Sequence, residues 1–277
     1  MRVNSLNKEK SGAIILIRGA GEIASGIAYR LQENHYRVCL TEIPYPLAVS
    51  RGTAFSDAVF DGTKTIGEIT SVLAPLSARE INRAWEKGNI AIVIDPDGII
   101  RGQMLPDVVI DARMLKNKTE TKITDAKLVI GIGPGFYAGK DVHILVESND
   151  RQGNLGKLIY EGAGEVNTGK PIDIGGLSNE RVVWAPEDGF FTSELEIGDP
   201  VITGSVIAKV DSTQLKAPIS GNLRGLLRSG VAVTKGTKLI EVDAVNDVKT
   251  FLEIREKMWL IGGVVVDAIN KTKILIT

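Results

Sequence analysis

The chain has 277 residues, a length sufficient for two domains, and 43% of the residues are hydrophobic, which is enough to form buried cores. Its formal net charge of -1 excludes a broad basic surface, so nucleic acid is not expected as a partner. One cysteine, Cys39, and two histidines exclude an internal disulfide and argue against a zinc site, so no metal is predicted. No apolar stretch approaches the ~20 residues that cross a bilayer, and residues 1–12 lack a signal-peptide core, so we expect a cytoplasmic protein with a flexible tail.

The first ordered elements predicted are a strand, a helix and a second strand. Residues 13–18 read AIILIR, a continuous apolar run typical of a strand buried on both faces in a parallel sheet. The stretch GEIASGIAYRLQENH from Gly21 carries apolar residues at helical spacing, and YRVCLTEI at 36–43 is a second strand. The pattern predicts a βαβ unit with a short turn after its first strand.

That turn, GAGEIA, satisfies the relaxed form of a dinucleotide-binding glycine motif. Gly19 permits the tight turn, Gly21 lets a phosphate approach the backbone, and the small Ala24 lets helix and strand pack closely. Glu42 ends the second strand, where an acidic residue meets a ribose hydroxyl. Alternatively, the glycines serve packing alone or receive a different phosphate-bearing ligand. The predicted cofactor-binding residues here are Gly19, Ala20, Gly21, Glu22, Ile23 and Glu42.

Further strands and helices continue the α/β pattern. Ser77, followed by Glu80, opens a helix with a capping-box spacing. The runs IAIVIDPDG, DVVIDARM and KLVIGIG predict three more strands. Asp95 and Asp111 fall at strand ends, where open sheets place ligand groups. We favour a turn-forming role for Asp95, whereas Asp111 with Arg113 could equally form an ion pair. No catalytic residue is assigned.

A second glycine-rich loop follows at residues 131–170. Its GPGFYAGK segment combines backbone N–H groups with a lysine, so Gly133, Gly135 and Lys140, together with Arg151, are predicted to cradle a phosphate or pterin. The alternative is a set of tight turns between short strands. The lone His143 in the following strand is interpreted as structural.

The C-terminal part is predicted to be a small all-β module followed by a helix. The segments GDPVITGSVIAKVD and GVAVTKGTKLIEVD repeat one pattern, and APEDGFF matches APISGNL. Such interlocked halves resemble the flattened barrels of biotinyl and lipoyl carrier domains. The turn between the halves, 211–214, has no lysine at its tip, so we interpret the module as a docking or lid domain. In the last helix Gly262 and Gly263 would weaken the element unless something packs closely there.

These elements predict an α/β fold with a Rossmann-like N-terminal domain, a barrel-sandwich β module and a C-terminal helix. The predicted segments are a tail at 1–12, the Rossmann-like domain at 13–140, a glycine-rich β connection at 141–180, the barrel-sandwich module at 181–244, and a helix at 245–277 that packs back on the core.

Three stretches together, RGAGEIASGIAYRL, GIGPGFYAGKDVHILVESNDRQGNLG and LKAPISGNLRGLLRSGVAVTKGTKL with WLIGGVVVDAI, resemble the YqeB family of selenium-dependent molybdenum hydroxylase accessory proteins. This family is distantly related to the XdhC/CoxI maturation factors. The resemblance covers nearly the whole chain from residue 13. It implies help in maturing or inserting the molybdopterin cofactor of a hydroxylase client. Members of this family tend to show a Thr-x-Arg-Gly-His-like stretch before LG; here Arg151 is present but no histidine follows it, so no role for that histidine carries over. Cys39, alone in a predicted strand, is a poor sulfur relay.

The sequence therefore predicts a maturation factor that binds a nucleotide or pterin phosphate, with a molybdopterin-type cofactor or an NAD-like nucleotide as ligand. The expected partner is a selenium-dependent molybdenum hydroxylase, with no nucleic acid and no membrane, and a homodimer is left open. One alternative is an NAD-dependent oxidoreductase, although no acid/base set for hydride transfer is found. Another is a scaffold without enzymatic activity whose nucleotide fold is vestigial.

Overall fold

The computed structural model describes residues 12–115, 119–149, 153–167, 169, 176–244 and 248–272. The chain divides into two compact units. The first comprises Met1–Pro44, Phe55–Asn167 and Arg255–Thr277, and the second Tyr45–Ala54 and Thr168–Ile254. The predicted connection at 141–180 is thus shared between the two units, and a short segment near residue 50 joins the second.

The described residues of the first unit form a large sheet, a small two-stranded sheet and five helices. Its helices are α1 Glu22–Glu33, α2 Ala58–Asp61, α3 Ala78–Glu86, α4 Arg101–Met104 and α5 Glu256–Lys271. The strands are β1 Ile14–Arg18, β2 Arg37–Glu42, β3 Thr63–Ile66, β4 Ile69–Leu73, β5 Ile90–Ile94, β6 Val108–Asp111, β7 Leu128–Ile132, β8 Tyr137–Ala138, β9 Ile144–Val146, β10 Leu158–Ile159 and β11 Gly162–Ala163. Strands β8 and β11 form the two-stranded sheet. Single 3₁₀ turns lie at Phe55–Asp57 and Ile123–Asp125.

The nine strands of the large sheet run in the order β10-β9-β7-β6-β1-β2-β5-β4-β3. In this order, each strand from β9 across to β4 is parallel to the next, whereas the edge strands β10 and β3 pair antiparallel with their neighbours. The central strands are buried along nearly their whole length, which explains why their sequences are apolar without alternation. Because the strands are parallel, the carboxyl ends of β1, β2, β5, β6 and β7 meet at one edge of this sheet.

The second unit consists of two antiparallel four-stranded sheets. Its strands are β12 Val182–Trp184, β13 Gly189–Thr192, β14 Pro200–Val201, β15 Val206–Val210, β16 Thr213–Lys216, β17 Gly221–Leu226, β18 Ala232–Val233 and β19 Lys238–Asp243. The sheets have the orders β12-β19-β17-β14 and β16-β15-β13-β18. The described residues of the unit also include 3₁₀ turns at Arg51–Thr53, Asn179–Arg181 and Val248–Leu252.

The predicted fold class, a Rossmann-like domain with a barrel-sandwich module, is wrong as an overall description. The large sheet is mixed and contains nine strands, and the β module is built as two separate antiparallel sheets. The hairpin of β3 and β4 is not evident from the sequence, because its strands are short and rich in threonine. The two strands are joined at Gly67, which has a φ of +55°. The antiparallel edge at β10 was likewise not predicted.

Helix α5 packs on α1 through small residues. A Cβ atom placed on Gly262 would lie 2.6 Å from Cγ of Arg30 and 2.8 Å from the carbonyl oxygen of Gly26. A Cβ on Gly26 would in turn lie 2.7 Å from Cβ of Met258. The ring of Trp259 meets that of Tyr29 edge to face, with centroids 5.2 Å apart. The two helices therefore approach at a distance that only glycine allows.

Helix α3 begins after Ser77, as the sequence predicts, but without the expected capping box. The Ser77 side chain makes no capping hydrogen bond, and the carboxylate of Glu80 instead accepts a hydrogen bond of 2.6 Å from Arg83. Among the described residues, no helix has the length and apolar character needed to cross a membrane.

Candidate functional site

The glycine turn lies directly after β1, at the carboxyl edge of the large sheet. Gly19 has a φ of +95°, and its N–H donates a hydrogen bond of 2.9 Å to the carbonyl oxygen of Thr41 in β2. A Cβ on Gly19 would lie 3.2 Å from the Cα of Arg113 and 3.3 Å from the carbonyl oxygen of Ala112. Both the backbone conformation and the close approach of the chain after β6 therefore require glycine at this position.

Gly21 differs from Gly19 because it is open to its surroundings. It is the N-cap residue of α1, with an extended backbone and no side chain to accept the helix's free N–H groups. A Cβ placed on it would meet nothing within 4 Å. The space above the first turn of α1 is therefore accessible to an anion. The side chain of Glu22, predicted at the same site, lies 3.0 Å from Nε of Arg255, just before α5.

Glu42 lies on the turn itself. Its carboxylate accepts hydrogen bonds from the backbone N–H of Ala20 (2.9 Å) and of Ile43 (2.8 Å). Burial raises the pKa of this carboxyl above its usual value, while those two hydrogen bonds and the charge of Arg113 act in the opposite direction. The acidic residue predicted to meet a ribose therefore also fixes the shape of the glycine turn.

An ion-pair network that the sequence indicated only in part lies beside the turn. Asp111, at the end of β6, is 1% exposed. It receives hydrogen bonds from Arg113, at 2.6 Å from Nη2 and 3.0 Å from Nε, and one of 2.6 Å from the hydroxyl of Thr121. The ion-pair interpretation of Asp111 with Arg113 is confirmed.

Arg18 extends this network to the end of β1. The residue is buried, and its guanidinium donates to the carbonyl oxygen of Pro96 at 3.0 Å and to the Thr121 hydroxyl at 3.2 Å. Its Nη2 also lies 2.5 Å from Oε1 of Glu120, and Nη1 of Arg113 lies 2.7 Å from that same oxygen. The two arginines therefore converge on one carboxylate oxygen.

We expect Glu120 to give the protein an acid-sensitive component of stability. Burial opposes its ionisation, but hydrogen bonds from Arg113 and Arg18 outweigh burial and lower its pKa from 4.5 to about 2. A carboxyl group with a depressed pKa stabilises the fold above its unfolded pKa. That contribution is lost as the pH falls through the folded value. Urea unfolding at several pH values between about 6 and 2 should therefore show a loss of stability that is smaller in Glu120→Gln.

The pair of Glu80 and Arg83 supplies the control for this titration, because its arginine is 53% exposed whereas the two arginines that contact Glu120 are largely buried. Glu80→Gln should leave the pH dependence close to that of the wild type, because solvent screens a pair with an exposed arginine. Equal pH profiles for the wild type and Glu120→Gln would show that the arginines do not hold the Glu120 carboxylate in solution.

Asp95, at the neighbouring end of β5, closes the turn that follows it. Its two carboxylate oxygens accept the N–H groups of Ile99 (2.9 Å) and Ile100 (2.8 Å). The turn-forming role favoured from the sequence is therefore the one that the structure shows.

The second glycine loop uses much of its own hydrogen-bonding capacity. The N–H groups of Gly133, Gly139 and Lys140 donate to carbonyl oxygens of the chain at 2.9, 2.8 and 3.2 Å. Gly133 and Gly135 have φ values of +73° and +107°, and the Lys140 side chain is exposed. This geometry favours the alternative of tight turns over a cradle built from these amides. Arg151, the fourth residue predicted for the cradle, lies outside the described residues.

The two glycine loops nevertheless flank one segment, Ala112–Met114, which follows β6. Gly19 approaches this segment at Arg113, as described above. On the other side, a Cβ on Gly133 would lie 3.1 Å from Cε of Met114 and 2.5 Å from the hydroxyl oxygen of Ser148, after β9. The carboxyl edge of the sheet therefore gathers the turn after β1, the arginine pair and the start of the second loop in one region of the first unit.

The isolated histidines and the cysteine have structural environments. Nδ1 of His143 accepts the N–H of Val129 at 3.0 Å, and burial lowers the pKa of this imidazole, which favours its neutral form. His35 follows α1 with a φ of +62°, in a C-terminal cap position. Burial raises the pKa of the Cys39 thiol, so it is a poor nucleophile. The described residues contain no cluster of side chains suited to a metal ion.

A cavity of about 500 Å³ lies elsewhere, at the amino ends of β2 and β5. Tyr36, Arg37 and Trp85 form part of its wall, and the Arg37 guanidinium lies 5.5 Å from the centre of the Trp85 ring. The cavity is therefore at the opposite end of these strands from the glycine turn and is not part of the candidate site.

Among known proteins, the chain is similar to the uncharacterized protein YqeB of Escherichia coli (strain K12). The two sequences are 39% identical over 256 residues, which make up 92% of this chain. This similarity is high enough to indicate homology over the shared region. The chain spans 47% of the length of that relative. No family model matches the sequence.

Solved structures show only weak similarity. They include the ectoine utilization protein EutE (DoeB) from Ruegeria pomeroyi, with 13% identity and a TM-score of 0.24. An aspartoacylase family protein from Mesorhizobium loti has 13% identity, and a succinylglutamate desuccinylase/aspartoacylase from Rhodobacter sphaeroides has 15%; each has a TM-score of 0.25. Each match covers 83% of this chain and 85% of the other. Scores this low support no shared fold or function. The strand topology alone overturns the Rossmann-like and barrel-sandwich descriptions.

Proposed function

We propose that this chain binds a phosphate-bearing nucleotide or pterin at the carboxyl edge of its large sheet. We propose further that it acts as an accessory factor in handling the cofactor of a molybdenum hydroxylase. The observation that carries the binding proposal is the open space at Gly21, beside a helix start that no side chain caps.

The charges around this turn support an anionic ligand. The partial positive charge at the start of α1 favours a phosphate. Arg18 and Arg113 bring two guanidinium groups to the ends of the neighbouring strands, and guanidinium groups match phosphate oxygens well. Glu42 lies on the same turn and would repel a 2′-phosphate, which favours an NAD-like dinucleotide or a pterin dinucleotide over NADP.

The hydroxylase client is proposed from the family resemblance alone. YqeB is uncharacterized, and this chain corresponds to about half of its length. We therefore propose the accessory role, the client and the transfer of a cofactor without support from the site itself. The geometry of the site bears only on ligand binding. The described part of the site contains Glu42, Asp111 and Glu120, whose carboxylates are all held by hydrogen bonds, and this arrangement fits binding better than proton transfer.

Thermal unfolding with a panel of ligands tests the binding proposal. The panel contains NAD, NADP, ATP, CTP and molybdopterin cytosine dinucleotide, and a ligand that binds the folded state raises the melting temperature. We expect a pterin or nucleotide to raise the melting temperature of the wild type. Gly21→Asp should lower the affinity for that ligand by about tenfold or more, because the aspartate carboxylate would face the phosphate. The variant should fold, since the site is open and aspartate is a favourable N-cap residue.

Gly263→Asp is the matched control, because it adds the same charge to α5 at another glycine whose Cβ would meet nothing within 4 Å. A shift that persists in Gly21→Asp would place the ligand elsewhere. A shift with NAD alone would favour the oxidoreductase alternative, and no shift with any ligand would contradict the proposal. In cells that contain a client hydroxylase, its activity should require Gly21 and not Gly263.

A further inference from the structure

Two arginines converge on the carboxylate of Glu120. Oε1 of Glu120 lies 2.5 Å from Nη2 of Arg18 and 2.7 Å from Nη1 of Arg113. The side chains of these arginines are 6% and 16% exposed, whereas that of Glu120 is 58% exposed. Two largely buried guanidinium groups therefore contact one exposed carboxylate of the same chain.

We propose that Arg18 and Arg113 form an anion subsite that Glu120 fills in the free protein and that a phosphate group of the ligand takes over by displacing Glu120. This inference rests on the proposed function and names the groups that would receive the phosphate. The exchange breaks no covalent bond, because one anion replaces another between the same two guanidinium groups.

The arginines are held in place independently of Glu120. Arg113 keeps two hydrogen bonds to Asp111, and Arg18 keeps those to Pro96 and Thr121. Loss of Glu120 would therefore leave both guanidinium groups in position, so that little reorganisation is needed when an anion arrives. Nε of Arg18 is buried and has no hydrogen-bond partner among the described residues, so the guanidinium is not fully satisfied by its present neighbours.

The other acidic groups near the subsite are already engaged. The Asp111 carboxylate accepts hydrogen bonds from Arg113 and Thr121, and that of Glu42 accepts those of Ala20 and Ile43. Of the three carboxylates that interact with Arg113, Glu120 is the exposed one, and it lies in the short stretch 119–121 rather than at a strand end. Displacing Glu120 therefore disrupts fewer buried contacts than displacing either of the other two carboxylates.

The position of the subsite indicates a diphosphate. A Cβ on Gly19 would lie 3.2 Å from the Cα of Arg113, and Arg18 directly precedes Gly19, so the backbones of both arginines adjoin the glycine turn. One phosphate could bind the N–H groups at the start of α1 while the next reaches the arginines. A diphosphate also carries more charge than the carboxylate it replaces, which favours the exchange between two cations.

Titration calorimetry with inorganic pyrophosphate tests the subsite in the full chain. Removing the competing charge in Glu120→Gln should raise the affinity for pyrophosphate by about tenfold or more. Glu80→Gln, which neutralises a half-buried carboxylate paired with the exposed Arg83, is the control and should leave the affinity unchanged. Adding Arg113→Gln to Glu120→Gln should remove the gain. Glu120→Ala provides a second form of the test if the glutamine variant is poorly folded.

An affinity that is unchanged or lower in both Glu120 variants would overturn the inference, as would a gain that survives loss of Arg113. The proposed function fails separately. If Gly21→Asp abolishes binding of a nucleotide or pterin while the Glu120 variants change nothing, the proposed function stands and the subsite is wrong. If the Glu120 variants gain pyrophosphate affinity but no nucleotide or pterin binds, the subsite stands and the proposed ligand class is wrong.

Discussion

Replacing Gly262 by alanine is expected to lower the free energy of unfolding by about 1–3 kcal/mol, because the added methyl group has no space. It would lie 2.8 Å from the backbone oxygen of Gly26 as well as against the Arg30 side chain. A side chain can rotate away from such a contact, but the backbone oxygen of α1 cannot move without shifting the helix. Urea unfolding of the variant and the wild type measures the difference.

The adjacent residue gives the matched control for this prediction. Gly263 lies in the same helix, but a Cβ on it would meet nothing within 4 Å. Gly263→Ala should therefore stabilise the protein by about 0.5–1 kcal/mol, since alanine loses less conformational entropy than glycine in a helix. Similar effects of the two substitutions would mean that α5 does not pack on α1 as the structure describes.

The contact between α1 and α5 also bears on the candidate site. The glycine turn leads into the first residue of α1, and Glu22 there is paired with Arg255, just before α5 begins. A displacement of α5 would thus reach the N–H groups that are proposed to receive a phosphate. We therefore expect Gly262→Ala to weaken ligand binding as well as stability.

Local patterns in the sequence predicted individual elements well. The run at 13–18 predicts a strand that the structure places at Ile14–Arg18, and the helix predicted from Gly21 is observed at Glu22–Glu33. Both depend on burial or periodicity within a dozen residues. The hairpin at Thr63–Leu73 has no comparable signal, because its strands are short and only partly buried, and without it the mixed sheet could not be predicted.

The candidate site was predictable only where its residues are close in sequence. The turn at Gly19–Gly21 and the pairing of Asp111 with Arg113 could be inferred from short motifs. The meeting of Arg18 with Glu120 joins residues about one hundred positions apart and depends on the adjacency of β1 and β6. No local pattern marks Glu120 as a partner of either arginine. Which parallel strands lie side by side is a property of the topology, and no short motif in the sequence specifies it.

Removing the carboxylate of Asp111 is expected to lower the stability of the protein strongly. Asp111→Ala would leave the Arg113 guanidinium and the Thr121 hydroxyl without their shared partner, at a place where Asp111 itself is 1% exposed. Breaking a buried ion pair by removing one partner costs about 3–5 kcal/mol. Since Arg113 retains some exposure and its contact with Glu120, we expect about 3 kcal/mol, measured by urea unfolding.

Glu80→Ala isolates the role of burial in this prediction. The Glu80–Arg83 and Asp111–Arg113 pairs have the same separation, 2.6 Å, but the Arg83 and Glu80 side chains are 53% and 28% exposed. Loss of Glu80 should lower the free energy of unfolding by less than about 1 kcal/mol, because solvent screens such a pair.

If the two substitutions lower the free energy of unfolding equally, distance alone sets the strength of these pairs. The carboxyl edge would then lack the rigid arginine frame that a phosphate subsite requires. A large difference would show that Asp111 holds Arg113 in a preformed position, on which the exchange of Glu120 for a ligand depends.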